Sequence, residues 1–278
     1  MVEGLARTQA RRGERVTTRL VTAAELIADL TRHFQAGPPC ALAFDADGTL
    51  WSGDVGDDVF RFAVAHGRLR EAARAELERQ AETRGFEAFP DVNATAEHLF
   101  EAYVAGRYPE RDMCELMTWC YAGHTLSEMR DLVAEALHAA HHTQRLHEEL
   151  RPILDFARGQ GVRTVVISAS PRATVELAAS VWGFAAPDIA ASTPLVTEGI
   201  ICAQMDGAVP YAATKCSAGR ALMGDARWVA SFGDNVFDLE MLREAELGVA
   251  VRPKRALETR LGEVPGAVLL DARTFQAD

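Results

Sequence analysis

The chain is expected to be an α/β protein, a parallel sheet flanked by helices with an all-helical domain inserted into it. Two observations lead there. Short apolar runs recur at Cys40–Phe44, Arg163–Ser168, Arg227–Phe232, Leu247–Val251 and Ala267–Leu270, with helical patterns between them. Such β-α-β units close by right-handed crossovers into a parallel sheet covered on both faces. By contrast, the stretch from Ser52 to Leu146 shows helical periodicity and no convincing strand.

Taken in order, residues 1–20 carry Arg7, Arg11, Arg12, Arg15 and Arg19 without the apolar run of a secretory signal, and are expected to form a loose basic leader. Val21 to Gln35 follows as a helix, with Leu26, Ile27 and Leu30 on one face and Gly37-Pro38-Pro39 ending it. Cys40–Phe44 is a buried strand that runs into Asp45. In the insert, expected over 52–146, Val55, Val59, Phe62 and Ala63 mark an apolar face, and Thr125-Leu-Ser-Glu128 is a capping box that opens a further helix. The α/β core is expected over 21–51 and 147–278. Within it, Leu195 to Ala203 predicts a β-hairpin turning at Glu198-Gly199.

Composition narrows the function. At 278 residues the chain has room for about two domains, and 29 Lys+Arg against 40 Asp+Glu give a net charge of −11. That charge repels a phosphate backbone or an anionic bilayer, so neither nucleic acid nor a membrane surface is an expected partner. No apolar run reaches the ~20 residues of a membrane span. Five scattered cysteines without a C-x-x-C pair suggest neither a disulfide framework nor a zinc site, and a cytoplasmic location is expected.

Ligands of a parallel sheet sit at the carboxyl ends of its strands, so chemistry is sought there. Phe44-Asp-Ala-Asp-Gly-Thr-Leu50 places two carboxylates, Asp45 and Asp47, where a strand ends. A solvated turn is the bland alternative. Gly233-Asp-Asn-Val-Phe-Asp238 brings Asp234 and Asp238 to a second strand end, where helix capping would also explain them. Together these acids repel unless a cation holds them, and oxygen-only ligands suit Mg²⁺. Ser168 closes a third strand, and Lys215 precedes a helical run. In this company both are candidate phosphate ligands.

The ordered set D-x-D-G-T, S, K and G-D-x-x-x-D resembles the haloacid dehalogenase superfamily, and specifically its Mg²⁺-dependent phosphatases of the phosphoserine phosphatase-like branch. The resemblance implies a Rossmann-like core and a helical C1-type cap. It further implies that Asp45 is the nucleophile that forms an aspartyl-phosphate, that Asp47 is the acid and base, and that Ser168 and Lys215 hold phosphoryl oxygens. Mg²⁺ would be bound by Asp45, the Asp47 backbone carbonyl and Asp234, supported by Asp238. Gly233, Asn235 and a loop-shaping Thr49 complete the set.

The implied partner is a small-molecule phosphomonoester. Cap residues select it in this branch, and Asp54 stands where phosphoserine phosphatases bind the substrate ammonium with Glu. A helix N-cap is the alternative for Asp54. Met117 falls where that branch has a carboxylate-binding Arg, with Arg107, Arg111 or Arg130 as possible substitutes. An acid without its Arg suggests an amine or quaternary ammonium ester lacking a carboxylate, contacted by Trp51, Trp119 and Tyr121 through cation–π interactions. In the last motif Asn235 is displaced and Phe237 occupies the usual Asn position. His138 and His142 have a metal-capable spacing, but a solvated or partly packed helix end is favoured for this histidine-rich region. A phosphotransferase using the same phospho-aspartate, and a catalytically silent binding protein of this fold, stay open as alternatives. Oligomeric state is not legible.

Overall fold

The computed structural model describes residues 18–274. Up to residue 17, the expected leader lies outside the described residues. Its last residues are not loose: Arg19–Val21 forms a strand (β1) whose Val21 is 1% exposed. Three residues are too few to show a strand period, which hid it.

Thr22 caps the next helix (α1, Ala23–Phe34) through a capping box with Glu25. Strand β2 (Cys40–Phe44) follows, buried at every position. Helices α2 (Val55–Ala65), α3 (Arg74–Thr83), α4 (Val92–Val104), α5 (Glu110–Trp119) and α6 (Leu126–Ala139) come next. The capping box expected at Thr125 and Glu128 opens α6. The chain returns through α7 (Arg151–Gly159), β3 (Arg163–Pro171), α8 (Arg172–Ala179) and β4 (Ile189–Ser192). Strand β4, with the sequence IAAS, was not expected because it offers a single large apolar side chain. The hairpin of β5 (Pro194–Thr197) and β6 (Ile200–Met205) turns at Glu198 and Gly199, both at positive φ. The chain ends with α9 (Ala213–Met223), β7 (Arg227–Gly233), α10 (Leu239–Glu244), β8 (Leu247–Val251), α11 (Arg255–Glu258) and β9 (Val268–Leu270).

Seven strands form one parallel sheet in the order β1-β9-β8-β7-β2-β3-β4. From β2 the chain first builds outward through β3 and β4, then crosses to β7 on the other side, so the order reverses beside β2. This switch point leaves a crevice at the carboxyl ends of β2, β3 and β7.

Helices cover both faces, which is why β2, β7 and β8 are continuous apolar runs rather than alternating ones. On one face, Ala41, Ala43, Val165 and Ile167 pack with Trp228 and Met223. Helix α9 sits so close that a Cβ at Gly219 would fall 2.6 Å from Trp228 and 2.7 Å from Ile167. The other face stacks Phe44 on Phe232 with ring centroids 4.2 Å apart.

Two linkers join helices α2–α6 to the sheet, and they pair with each other. Trp51 bridges Leu146, and Ser52 N–H donates to the Arg145 carbonyl at 2.9 Å. The hairpin also reaches the helices, with Gly123 N–H donating to Ile201 O and Ile201 N–H to His124 O, each at 2.9 Å.

Candidate active site

The end of β2 is tied into the sheet by Asp45 N–H, which donates to Phe232 O at 2.9 Å. This holds Asp45, 6% exposed, at the crevice. Its Oδ2 accepts from Thr49 Oγ1 at 3.2 Å and its Oδ1 from Lys215 Nζ at 2.5 Å. Lys215, in the first turn of α9, also donates to Asp238 Oδ1 at 2.5 Å. Burial disfavours the charged ammonium, but the anions of Asp238 and Asp45 more than reverse this and raise the Lys215 pKa. The lysine is therefore a fixed cation between two buried acids.

Asp238 is used up structurally: its Oδ2 accepts from Asp234 N–H at 3.1 Å and Asn235 N–H at 2.9 Å. That turn needs glycine before it, because a Cβ at Gly233 would lie 2.6 Å from the Asp238 Cβ. Gly48 is still more constrained. It sits at φ +82°, and a Cβ there would fall 2.1 Å from Asp234 Oδ2.

The carboxylates of Asp45, Asp234 and Asp238 are all buried and offer oxygens within 4.8 Å of one another. Asp234 Oδ1 is buried without a hydrogen-bond partner, while Oδ2 lies 3.1 Å from Lys254 Nζ. Burial and the neighbouring Asp238 charge push the Asp234 pKa up to about 6, against the pull of Lys254. Asp45 is raised well above the usual range, first by burial and then by Asp238, with Lys215 opposing. A buried, mutually repelling oxygen set with one orphaned acceptor suits a hard divalent cation.

Asp47 lies outside this cluster. Its Oδ1 accepts from Trp51 Nε1 at 2.9 Å and Val55 N–H at 2.8 Å, and its Oδ2 from Ser170 Oγ at 2.6 Å. Ser168, 1% exposed, does not close its strand as expected, since β3 runs on to Pro171; its Oγ accepts from Ser170 N–H at 3.1 Å.

These residues share one cavity of about 330 Å³. Its sheet side carries Asp45, Asp47, Ser168, Lys215, Asp234, Asn235 and Asp238. Opposite stand Asp54, Asp57, Tyr103, Glu110, Cys114 and Met117 from α2, α4, α5 and their caps, with Tyr211 and Phe237 at the side. Asp54 is both a helix cap and a cavity residue: it is the N-cap of α2, accepting from Asp57 N–H at 2.9 Å, and it lines the cavity. Burial first, then the charges of Asp47 and Asp57, raise its pKa well above the usual range.

The aromatic contacts expected from Trp51, Trp119 and Tyr121 are corrected. These side chains are 0%, 3% and 1% exposed and none lines the cavity. All three rings are buried in the core, and Trp51 donates its indole N–H to Asp47. The rings that do face the cavity, Tyr103, Tyr211 and Phe237, were not foreseen as contacts. Tyr103 and Tyr211 belong to no motif, and Phe237 packs on Tyr211 with centroids 4.5 Å apart and planes tilted by 36°.

None of Arg107, Arg111 and Arg130 reaches the cavity, whose basic lining residues are Lys215 and Lys254. The histidine pair forms no metal site. His142 is buried with Nε2 3.0 Å from Ala178 O, whereas His138 is exposed. His147 packs its Nδ1 2.9 Å from Thr49 O, bracing the loop after β2.

A family model for haloacid dehalogenase-like hydrolases matches residues 42–243, which contain Asp45, Asp47, Ser168, Lys215, Asp234 and Asp238. The chain belongs to that family. Its fold is shared with a protein of unknown function from Bordetella pertussis Tohama I, 18% identical, with a TM-score of 0.65 over 84% of this chain and 100% of the other. A haloacid dehalogenase family hydrolase from Salmonella enterica serovar Typhi is 14% identical, with a TM-score of 0.53 over 88% and 75%. A phosphoserine phosphohydrolase-like protein from Francisella tularensis is 14% identical, with a TM-score of 0.50 over 83% and 95%. No curated protein matches the chain closely enough to count as a relative. Within the matched residues, Asp45 and Asp234 stand just past the apolar runs of β2 and β7.

Proposed function

We propose that the chain is a Mg²⁺-dependent phosphomonoesterase of the phosphoserine phosphatase-like branch, acting through an aspartyl-phosphate on Asp45. The observation that carries this reading is the buried Asp45 carboxylate, held 2.5 Å from Lys215 within a cluster that includes Asp234. Lys215 opposes the rise that burial and Asp238 impose on Asp45, and so favours its ionised, nucleophilic form. A carboxylate oxygen of Asp45 bonds to phosphorus as the ester P–O bond breaks. Asp47 gives a proton to the departing alkoxide. In the second half, water loses a proton to Asp47, its oxygen bonds to phosphorus, and the Asp45–phosphorus bond breaks.

Ser168 and Lys215 hold the non-transferring oxygens while charge redistributes among them. Mg²⁺ would be held by Asp45, Asp234 and the Asp47 carbonyl, with Asp238 fixing Lys215 and the loop after β7. When bound, it neutralises charge so that an anionic carboxylate meets an anionic phosphate.

The far wall supports a substrate class. Asp54, Asp57 and Glu110 face the cavity beside Tyr103, while its two lysines lie on the sheet side with Asp45, Asp234 and Asp238. A phosphate ester entering here is best matched when its alcohol portion carries an ammonium, and no arginine lines the cavity to hold a carboxylate. We therefore favour amino-alcohol phosphates over phosphoserine.

No helix among the described residues is long and apolar enough to cross a membrane. The cysteines are all unpaired, which supports the cytoplasm as the site of action. Phosphate release from amino-alcohol, amino-acid, sugar and nucleotide phosphates, with Mg²⁺ and with chelator, tests the reading. Turnover must require the metal and vanish in Asp45→Asn. Metal-independent turnover, or an active Asp45→Asn enzyme, refutes it.

A further inference from the structure

Trp51 and Ser170 are not assigned to the chemistry above, yet both contact Asp47. We infer that they divide its carboxylate into two unlike oxygens, with Trp51 fixing Oδ1 as a permanent acceptor and Ser170 presenting Oδ2 as the oxygen that carries the proton. The inference rests on Asp47 being the acid and base.

The donors themselves impose the division. Oδ1 receives Trp51 Nε1–H at 2.9 Å and the Val55 backbone N–H at 2.8 Å. Indole and amide nitrogens only donate, and two such bonds fill the acceptor directions of one carboxylate oxygen. A proton on Oδ1 would displace one of them. Neither donor is free to leave: Trp51 is 0% exposed and edge-packed on His142 at 4.9 Å, and Val55 opens α2.

Oδ2 differs, because its neighbour is a hydroxyl, Ser170 Oγ at 2.6 Å. A hydroxyl can donate or accept. It donates to Oδ2 when Asp47 is ionised and turns when Oδ2 carries hydrogen. Gly56 leaves room for this, since a Cβ there would stand 3.1 Å from Ser170 Oγ. Ser170 N–H also donates to Ser168 Oγ at 3.1 Å, so the same residue braces the phosphate side.

The step balances without any further reactant. Asp47 Oδ2–H transfers its proton to the alkoxide oxygen as the ester bond breaks, leaving an anion that accepts from Ser170. Water then returns a proton to Oδ2 as its oxygen bonds to phosphorus. Ser170 and Trp51 are positioning residues that act through Asp47: Trp51 lies off the cavity, and Ser170 lines it with its hydroxyl on Asp47.

The test compares an alkyl phosphomonoester, whose leaving group needs a proton, with p-nitrophenyl phosphate, whose leaving group does not. Ser170→Ala should lower kcat on the alkyl ester by about 10- to 100-fold, within the range of general acid catalysis, and on the aryl ester by less than about 3-fold. KM should stay within about 2-fold for both, and Ser170→Thr, which keeps the hydroxyl, should recover most of the loss. Trp51→Phe, which keeps a ring but removes the N–H, should shift the alkyl-to-aryl ratio in the same direction. Equal losses on both esters, or no recovery with Ser170→Thr, would overturn the inference. Asp47→Asn separates the two layers of argument. If it spares alkyl turnover, the assignment of Asp47 itself is wrong; if it removes alkyl turnover while Ser170→Ala leaves the ratio unchanged, the inference alone fails.

Discussion

The two walls of the cavity use the same residue type in opposite ways. On the sheet side, Lys215 holds Asp45 and Asp238, and Lys254 meets Asp234. Opposite, Asp57 keeps a buried Oδ1 without a hydrogen-bond partner, and burial lifts it to about 6 although Arg61 pulls the other way. Burial likewise raises Glu110, against only the pull of Lys254 and Lys215. One wall has its cations built in. The other carries acids that, in the proposed reading, would receive the cation of the substrate.

The comparison breaks most severely at Lys215. Lys215→Met leaves Asp45 and Asp238 buried without their cation, and breaking such a pair costs about 3 to 5 kcal/mol. Chemical denaturation in chelator should show that loss, and turnover should fall by about 10²- to 10³-fold, as when a transition-state donor is removed. A stable, active Lys215→Met enzyme would mean that the sheet side does not depend on its internal cation.

A smaller change on the same wall is Gly48→Ala. The new methyl would stand 2.1 Å from Asp234 Oδ2, so the carboxylate must move. The Mg²⁺ concentration for half-maximal activity should rise by about 10- to 100-fold, the range for disturbed support of metal ligands. Unchanged metal dependence would remove Asp234 from the cation site.

On the facing wall, Asp57→Asn should raise KM for an amino-alcohol phosphate by about 10-fold, equivalent to about 1.4 kcal/mol, and leave KM for a neutral-alcohol phosphate alone. Acidity supplies the same test without mutation. Asp57 has a raised pKa near 6, so lowering the pH through that value protonates it and removes the charge an ammonium needs. KM for the cationic ester should therefore climb below about pH 6 more than KM for the neutral one, and Asp57→Asn should abolish the difference.

The smallest effect is expected at Trp119, buried away from the cavity at 3% exposure. Trp119→Phe should cost about 1 to 3 kcal/mol of stability through lost packing and leave every KM unchanged. A KM change confined to cationic substrates would restore it as a substrate contact.

This contrast also explains what could be foreseen. The sheet side was legible because each acid sits where an apolar run ends: Asp45 after Cys40–Phe44, and Asp234 at the end of Arg227–Gly233. Strand ends in a parallel sheet converge on one edge, so short local patterns suffice. The facing wall gathers Asp57 from α2, Tyr103 from α4 and Glu110 from α5, and Tyr211 joins at the side from the loop before α9. No local spacing encodes that meeting. Trp51 and Tyr121 misled for a related reason: an aromatic near a motif has the right chemistry, but period alone does not say which face is buried. The single large apolar side chain of β4 hid a strand, whereas the five buried residues of β2 announced one.

The central claim is that Asp45 carries the phosphoryl group. Acid quenching during turnover of the best ester in Mg²⁺, followed by peptide mass mapping, tests it directly. The account predicts a phosphoryl adduct on Asp45 that disappears in Asp45→Asn and in chelator. An adduct on another residue, or turnover with no trapped protein phosphate under any quench, would contradict it.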